Sequence, residues 1–99
     1  MNYVTVTYPG KDDAKFDFDY YMTNHIPLVT RLLGNNIEVC KGISSLTDAP
    51  PAFVCTARIR INSIEEFAAA MAQHGPAILG DIPNYTNIQP LVQIDEVLP

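Results

Sequence analysis

Residues 52–61 read AFVCTARIRI. Side chains of an extended chain point alternately to its two faces. Phe53, Cys55, Ala57, Ile59 and Ile61 therefore share one side, and Val54, Thr56, Arg58 and Arg60 share the other. The first set suits a core lying under helices. The second suits a wetter surface that faces another subunit. A strand with one dry and one wet side belongs to an antiparallel sheet covered on a single face.

The neighbouring segments extend this pattern. IEVCKGISSL (37–46) is β-rich and precedes it across a TDAPP loop (47–51). After it, Asn62 or Ser63 is placed to cap a helix, and Ser63 with Glu66 has capping-box spacing. IEEFAAAMAQ (64–73) is rich in helix formers. Further out, residues 17–33 carry helical periodicity and stop at Gly34, Asn35 and Asn36. HGPAILGDIPNY (74–85) is interrupted by Gly75, Pro76, Gly80 and Pro83 and reads as an irregular crossing with one short helical turn. At the ends, NYVTVTY (2–8) alternates as a strand, PGKDDAK (9–15) is a polar turn, and TNIQPLVQIDEVL (86–98) closes the chain as a strand. Pro90 marks an edge or a bulge in it.

The order βαββαβ predicts a single α+β domain over residues 1–99. Its expected fold is ferredoxin-like, with a four-stranded antiparallel sheet and two helices on one face. The other face is left bare, and a homodimer is the simplest way to cover it.

Composition narrows the function classes. The chain has 99 residues, 47% apolar and 17% charged, with six Lys plus Arg against eleven Asp plus Glu. With a net charge of −5 and no basic cluster, nucleic-acid binding is not expected. There is no apolar run near membrane-spanning length and no signal-like start, so no membrane partner is expected and the predicted location is cytoplasmic. Cys40 and Cys55 would pair directly across a hairpin only if Ala49, Pro50 and Pro51 entered its ladder, which prolines resist. Both are read as reduced, buried thiols. No Cys-x-x-Cys or His-x-His spacing occurs, so no metal site is expected, and with no Gly-rich phosphate loop either, no cofactor is expected.

One segment raises a chemical question. In FDYYMTNHIPLVTRLL (18–33), a helical wheel puts Phe18, Tyr21, Met22, His25, Leu28, Val29 and Leu32 on one stripe. His25 lies near its middle, two residues before Pro27. The proline lacks an N–H for the Thr23 carbonyl. The helix is expected either to bend around His25 or to restart with Asn24 as a cap. Either case opens space beside an inward imidazole, with the Tyr21 phenol one turn away. The wheel leaves two readings open: a core histidine with satisfied hydrogen bonds, or a pocket histidine. His74, in QHGP, is placed to cap carbonyls at a helix C-terminus.

FDFDYYMTNHIPLV (16–29), SIEEF (63–67) and DIPNYTNIQPLVQIDEV (81–97) resemble the EthD family, named for ethyl tert-butyl ether degradation. The Tyr-x-x-x-His-x-Pro-Leu element falls on Tyr21, His25, Pro27 and Leu28, and a second cluster on Asp81, Pro83, Asn84 and Tyr85. The resemblance implies a dimeric α+β barrel with a pocket between sheet and helices in each subunit. It also implies a small apolar or aromatic oxygenated ligand. The chemistry would be of cofactor-free oxygenase, isomerase, decarboxylase or dehydratase type. His25 would be the acid or base, Tyr21 or Tyr85 would hold the substrate oxygen, and Asp81 would orient the imidazole. Leu28, Phe53 and Cys55 would line the apolar wall. The alternative is a non-catalytic ligand-binding or accessory protein for an oxygenase. A proton relay around His25 would favour the enzyme; an imidazole bonded only to backbone would favour binding or packing.

Overall fold

The computed structural model describes residues 1–34 and 36–99. Four strands, β1 (Asn2–Pro9), β2 (Ile37–Lys41), β3 (Phe53–Ile61) and β4 (Leu91–Glu96), form one antiparallel sheet in the order β2-β3-β1-β4. Between β1 and β2 runs α1 (Phe18–Tyr20), a π turn (Tyr21–His25) and α2 (Ile26–Leu33), and between β3 and β4 runs α3 (Ile64–Asp81). This is the expected ferredoxin-like α+β fold.

The register fixes which side chains share a face. Val4 lies opposite Ile59 and Ile94, Val6 opposite Ala57 and Val92, and Tyr8 opposite Cys55. Val29 of α2 and Ile78 of α3 both pack on Val4 and Ile59, so the helices cover the same side of the sheet. The opposite side carries Thr5, Thr7, Thr56, Arg58 and Gln93, as the alternation of β3 demands. Arg58 lies over the Tyr3 ring there, 4.2 Å from its centroid.

Several local expectations are corrected. The segment after residue 73 is not an irregular crossing. α3 runs on through Gly75 and Pro76 to Asp81, and buried Gly75 and Ile78 anchor its second half. Helix packing on an apolar face outweighs the single hydrogen bond that Pro76 removes. His74 therefore stands inside the helix, half-buried, and not at its end. β2 stops at Lys41 and β4 spans only Leu91–Glu96. Cys40 is exposed because it pairs with Thr56 on the uncovered face, whereas Cys55 is buried; both are free. Burial pushes the Cys55 thiol up to about 11. Phe53 is exposed beside the register shift at Tyr8/Pro9, so it is not part of the core.

The helix stops are as expected in kind. Ser63 caps α3 by accepting from the Glu66 N–H (3.1 Å). The first helix ends at Leu33, and Gly34 takes φ 78°, a conformation that favours glycine. Asn35, assigned to the same stop, lies outside the described residues.

Candidate functional site

The site begins with the missing N–H of Pro27. The helix neither restarts nor takes Asn24 as a cap. It widens into a π turn, in which the Ile26 N–H donates to the Tyr21 carbonyl. The Thr23 hydroxyl donates back to the Asp19 carbonyl (2.6 Å). A π turn takes more residues per turn than an α turn. Four residues then nearly complete a circle, so Tyr21 and His25 stand one above the other. Their rings stack with centroids 5.5 Å apart and planes 18° apart. Both are buried, while Met22, placed on the inward stripe by an α-helical wheel, is exposed.

A second element meets this turn. After α3 the chain makes a 3₁₀ turn (Ile82–Asn84) with Pro83 inside it. Residues three apart eclipse in such a turn, so Asn84 reaches back to Asp81 (Nδ2 to Oδ1, 2.9 Å). Tyr85 follows and is tied to the start of the first helix, where the Asp17 N–H donates to its carbonyl (2.8 Å). The Thr86 hydroxyl donates to the Lys15 carbonyl (2.6 Å) on the same seam.

Together the two elements build a hydrogen-bonded chain. His25 Nδ1 lies 2.9 Å from Asp81 Oδ2, and the Tyr20 hydroxyl donates to Asp81 Oδ1 (2.7 Å). His25 Nε2 lies 3.3 Å from the Tyr85 hydroxyl, which is 2.7 Å from the Tyr8 hydroxyl. Partial burial pulls the Asp81 carboxyl upward, but donors from Tyr20, Asn84 and His25 outweigh it and hold the group below the usual carboxylate range. An ionised carboxylate only accepts, so His25 carries its proton on Nδ1 when the imidazole is neutral. Nε2 is then the acceptor for Tyr85. Burial pushes the Tyr8, Tyr21 and Tyr85 phenols upward, so all three stay protonated.

Between sheet and helices lies a cavity of about 80 Å³. Its walls are aliphatic for most of their extent, including Val4, Val29, Ile59, Met71 and Ile78, and Tyr8, Tyr21 and His25 also line it. Of the residues singled out from sequence, Tyr21 and His25 reach the cavity. Asp81 and Tyr85 stand behind them, bonded to the imidazole. Cys55 is packed in the aromatic core beside Tyr8 and Tyr21. Leu28 is half-buried and Phe53 exposed, and neither is on the cavity wall. Two residues, Tyr8 and Tyr20, were missed, and Asn84 was named in the second cluster without a role. Tyr8 shares its face with Val4 and Val6, a signal that strand alternation does provide. Asn84 lies three residues from Asp81. Tyr20 falls outside an α-helical stripe, and only the π turn explains its approach to Asp81.

The fold matches known structures over nearly the whole chain. An EthD-like protein from Ralstonia eutropha JMP134 is 45% identical, with a TM-score of 0.92, over 99% of this chain and 92% of that one. The chain belongs to the EthD family. A protein of the ethyl tert-butyl ether (EthD) family from Bacillus halodurans C-125 is 20% identical with a TM-score of 0.78, over 99% of both chains. HapK from Hahella chejuensis is 16% identical with a TM-score of 0.63, over 99% of this chain and 93% of that one, and shares the fold. No protein-family model and no curated protein matches the chain. Among the described residues, no helix of this EthD-family chain is long and apolar enough to cross a membrane.

Proposed function

We propose that this protein takes a small, mainly hydrocarbon molecule bearing one oxygen function into the cavity and moves a proton on it, with His25 as acid and base. One observation carries the reading: the imidazole on the wall of an apolar cavity is held by a carboxylate at 2.9 Å, and its other nitrogen faces a phenol. A histidine oriented by a carboxylate is the usual arrangement for proton transfer near neutral pH. An imidazole bonded only to backbone would have favoured packing instead.

The cavity also bears on ligand size. At about 80 Å³ it is well below the roughly 150 Å³ of an engineered cavity that admits benzene. A compact aliphatic fragment fits better than a whole aromatic ring. The reaction type that agrees best is an isomerisation or elimination, in which a proton leaves one atom and no external electron acceptor is needed. The protein is further proposed to work in the cytoplasm as a homodimer, with the uncovered sheet face and the exposed Leu91 side chain of β4 meeting a second copy. Sedimentation at twice the chain mass is the expected result.

The test is a panel of small alcohols, ketones and ethers, screened for binding by saturation-transfer NMR and for conversion by gas chromatography. A compound that binds should be converted by the wild-type protein and about 10²–10⁴-fold more slowly by His25→Asn. Unchanged turnover by a folded His25→Asn variant would overturn the acid–base role.

A further inference from the structure

His25 has no free nitrogen. Nδ1 is taken by Asp81 and Nε2 by Tyr85, although the ring itself is on the cavity wall. Tyr85 itself is not on the cavity wall, but its partner Tyr8 is. We propose that Tyr8 is the catalytic residue that meets the ligand's proton, and that His25 receives protons at a distance, through Tyr85. The inference rests on the cavity reading above and names which atom of the site touches the ligand.

The direction of the chain follows from its fixed end. The Asp81 carboxylate accepts from Nδ1–H, which makes Nε2 an acceptor. Tyr85 must then donate to Nε2, and its oxygen is left to accept from Tyr8. The Tyr8 hydroxyl proton thus points toward Tyr85, and its oxygen keeps the capacity to accept, on a residue that lines the cavity. Tyr21, which also lines the cavity, has its ring 6.0 Å from that of Tyr8 and its phenol beside Tyr8 and Cys55.

Proton transfer through this chain balances without another reactant. A ligand X–H gives its proton to the Tyr8 oxygen as Tyr8 passes its own to Tyr85. Tyr85 in turn passes its proton to His25 Nε2. The bonding pair of X–H stays on the ligand, and the positive charge appears on an imidazolium beside the Asp81 carboxylate. No phenolate persists at any stage, which burial of the three phenols would oppose. Reversing the shifts returns the proton to a different atom of the ligand. The positive charge at His25 is balanced by the Asp81 carboxylate at 2.9 Å, while the pair left on the ligand stays in the cavity with the Tyr8 and Tyr21 phenols on its wall.

The experiment uses the full chain with ¹⁵N-labelled histidine and 2,2,2-trifluoroethanol at millimolar concentration as a small hydroxylic probe. In the free wild-type protein, the nitrogen shifts should show Nδ1–H and an accepting Nε2. On adding the alcohol, Nε2 should move in the wild type but not in Tyr85→Phe. Binding, followed by the fluorine signal, should weaken at least tenfold in Tyr8→Phe. Thermal unfolding of each variant establishes that it is folded. If Tyr8→Phe does not fold, the Nε2 response in Tyr85→Phe decides alone. An Nε2 response that survives in Tyr85→Phe, or binding unchanged in Tyr8→Phe, would overturn the relay and leave His25 as a direct base. Failure of the wild type to bind the alcohol at all would instead remove the cavity reading, and the relay with it.

Discussion

The core has two halves that solve burial differently. Around Val4, Val29, Ile59 and Ile78 the interior is aliphatic. Around Tyr8, Tyr21, Cys55, Tyr85 and Ile88 rings and hydroxyls dominate, with His25 against them. An aliphatic wall gains free energy roughly by area and has no direction. A buried hydroxyl loses that gain unless it meets a partner, so its position is specified atom by atom. The aliphatic half supplies stability and space, the hydroxyl half supplies direction, and the cavity touches both.

Substitutions should separate the two halves. The largest effect is expected from Ile59→Ala, which removes a buried side chain shared by both helices and β1. It should cost about 2–5 kcal/mol in urea unfolding and leave the His25 nitrogen shifts in place. Movement of those shifts would mean that the halves are mechanically coupled. Next is Tyr85→Phe, which keeps the ring but strands the Tyr8 donor and the His25 acceptor. It should cost about 1–3 kcal/mol, with a changed Nε2 shift. A cost no larger than that of a surface substitution would show that the pairing does not hold the hydroxyl half together.

The two halves also differed in how readable they were. Alternation in β1 and β3 was enough for the sheet, its covered face and the βαββαβ order. The inward direction of Tyr21 and His25 was legible from periodicity, and the pairing of His25 with Asp81 came only with the family resemblance. Two things were not legible. Gly75 and Pro76 read as a break, because a local rule scores the lost hydrogen bond and not the packing of Ile78 that keeps α3 continuous through it. Pro27 posed the reverse problem. It sat in a segment that stayed helical, but as a π turn, and that change of phase turned Met22 outward and brought Tyr20 to Asp81. A wheel with one fixed angle per residue cannot show this. The same residue inside a helix, proline, thus left one helix continuous and goes with the π turn of the site in the other.

The smallest expected effect is the most specific to the hydroxyl half. Tyr20→Phe removes one of three donors to Asp81 and touches nothing in the cavity. Among the donors that hold the Asp81 carboxyl down against partial burial, Tyr20 comes first. A carboxyl lowered in the folded state contributes stability that is present above its unfolded value, and that is lost as pH falls through the folded one. Removing Tyr20 lets Asp81 rise toward its ordinary range and narrows that gap. The variant should therefore be less stable than wild type at neutral pH, by less than Tyr85→Phe. The two melting curves should converge in acid, once the carboxyl is protonated in folded and unfolded chains alike. Thermal melts taken from pH 7 down through the acid range check this. A deficit that persists undiminished in acid would mean that Tyr20 supports the turn by packing and not by holding a charged Asp81, and the fixed direction of the relay would lose its anchor.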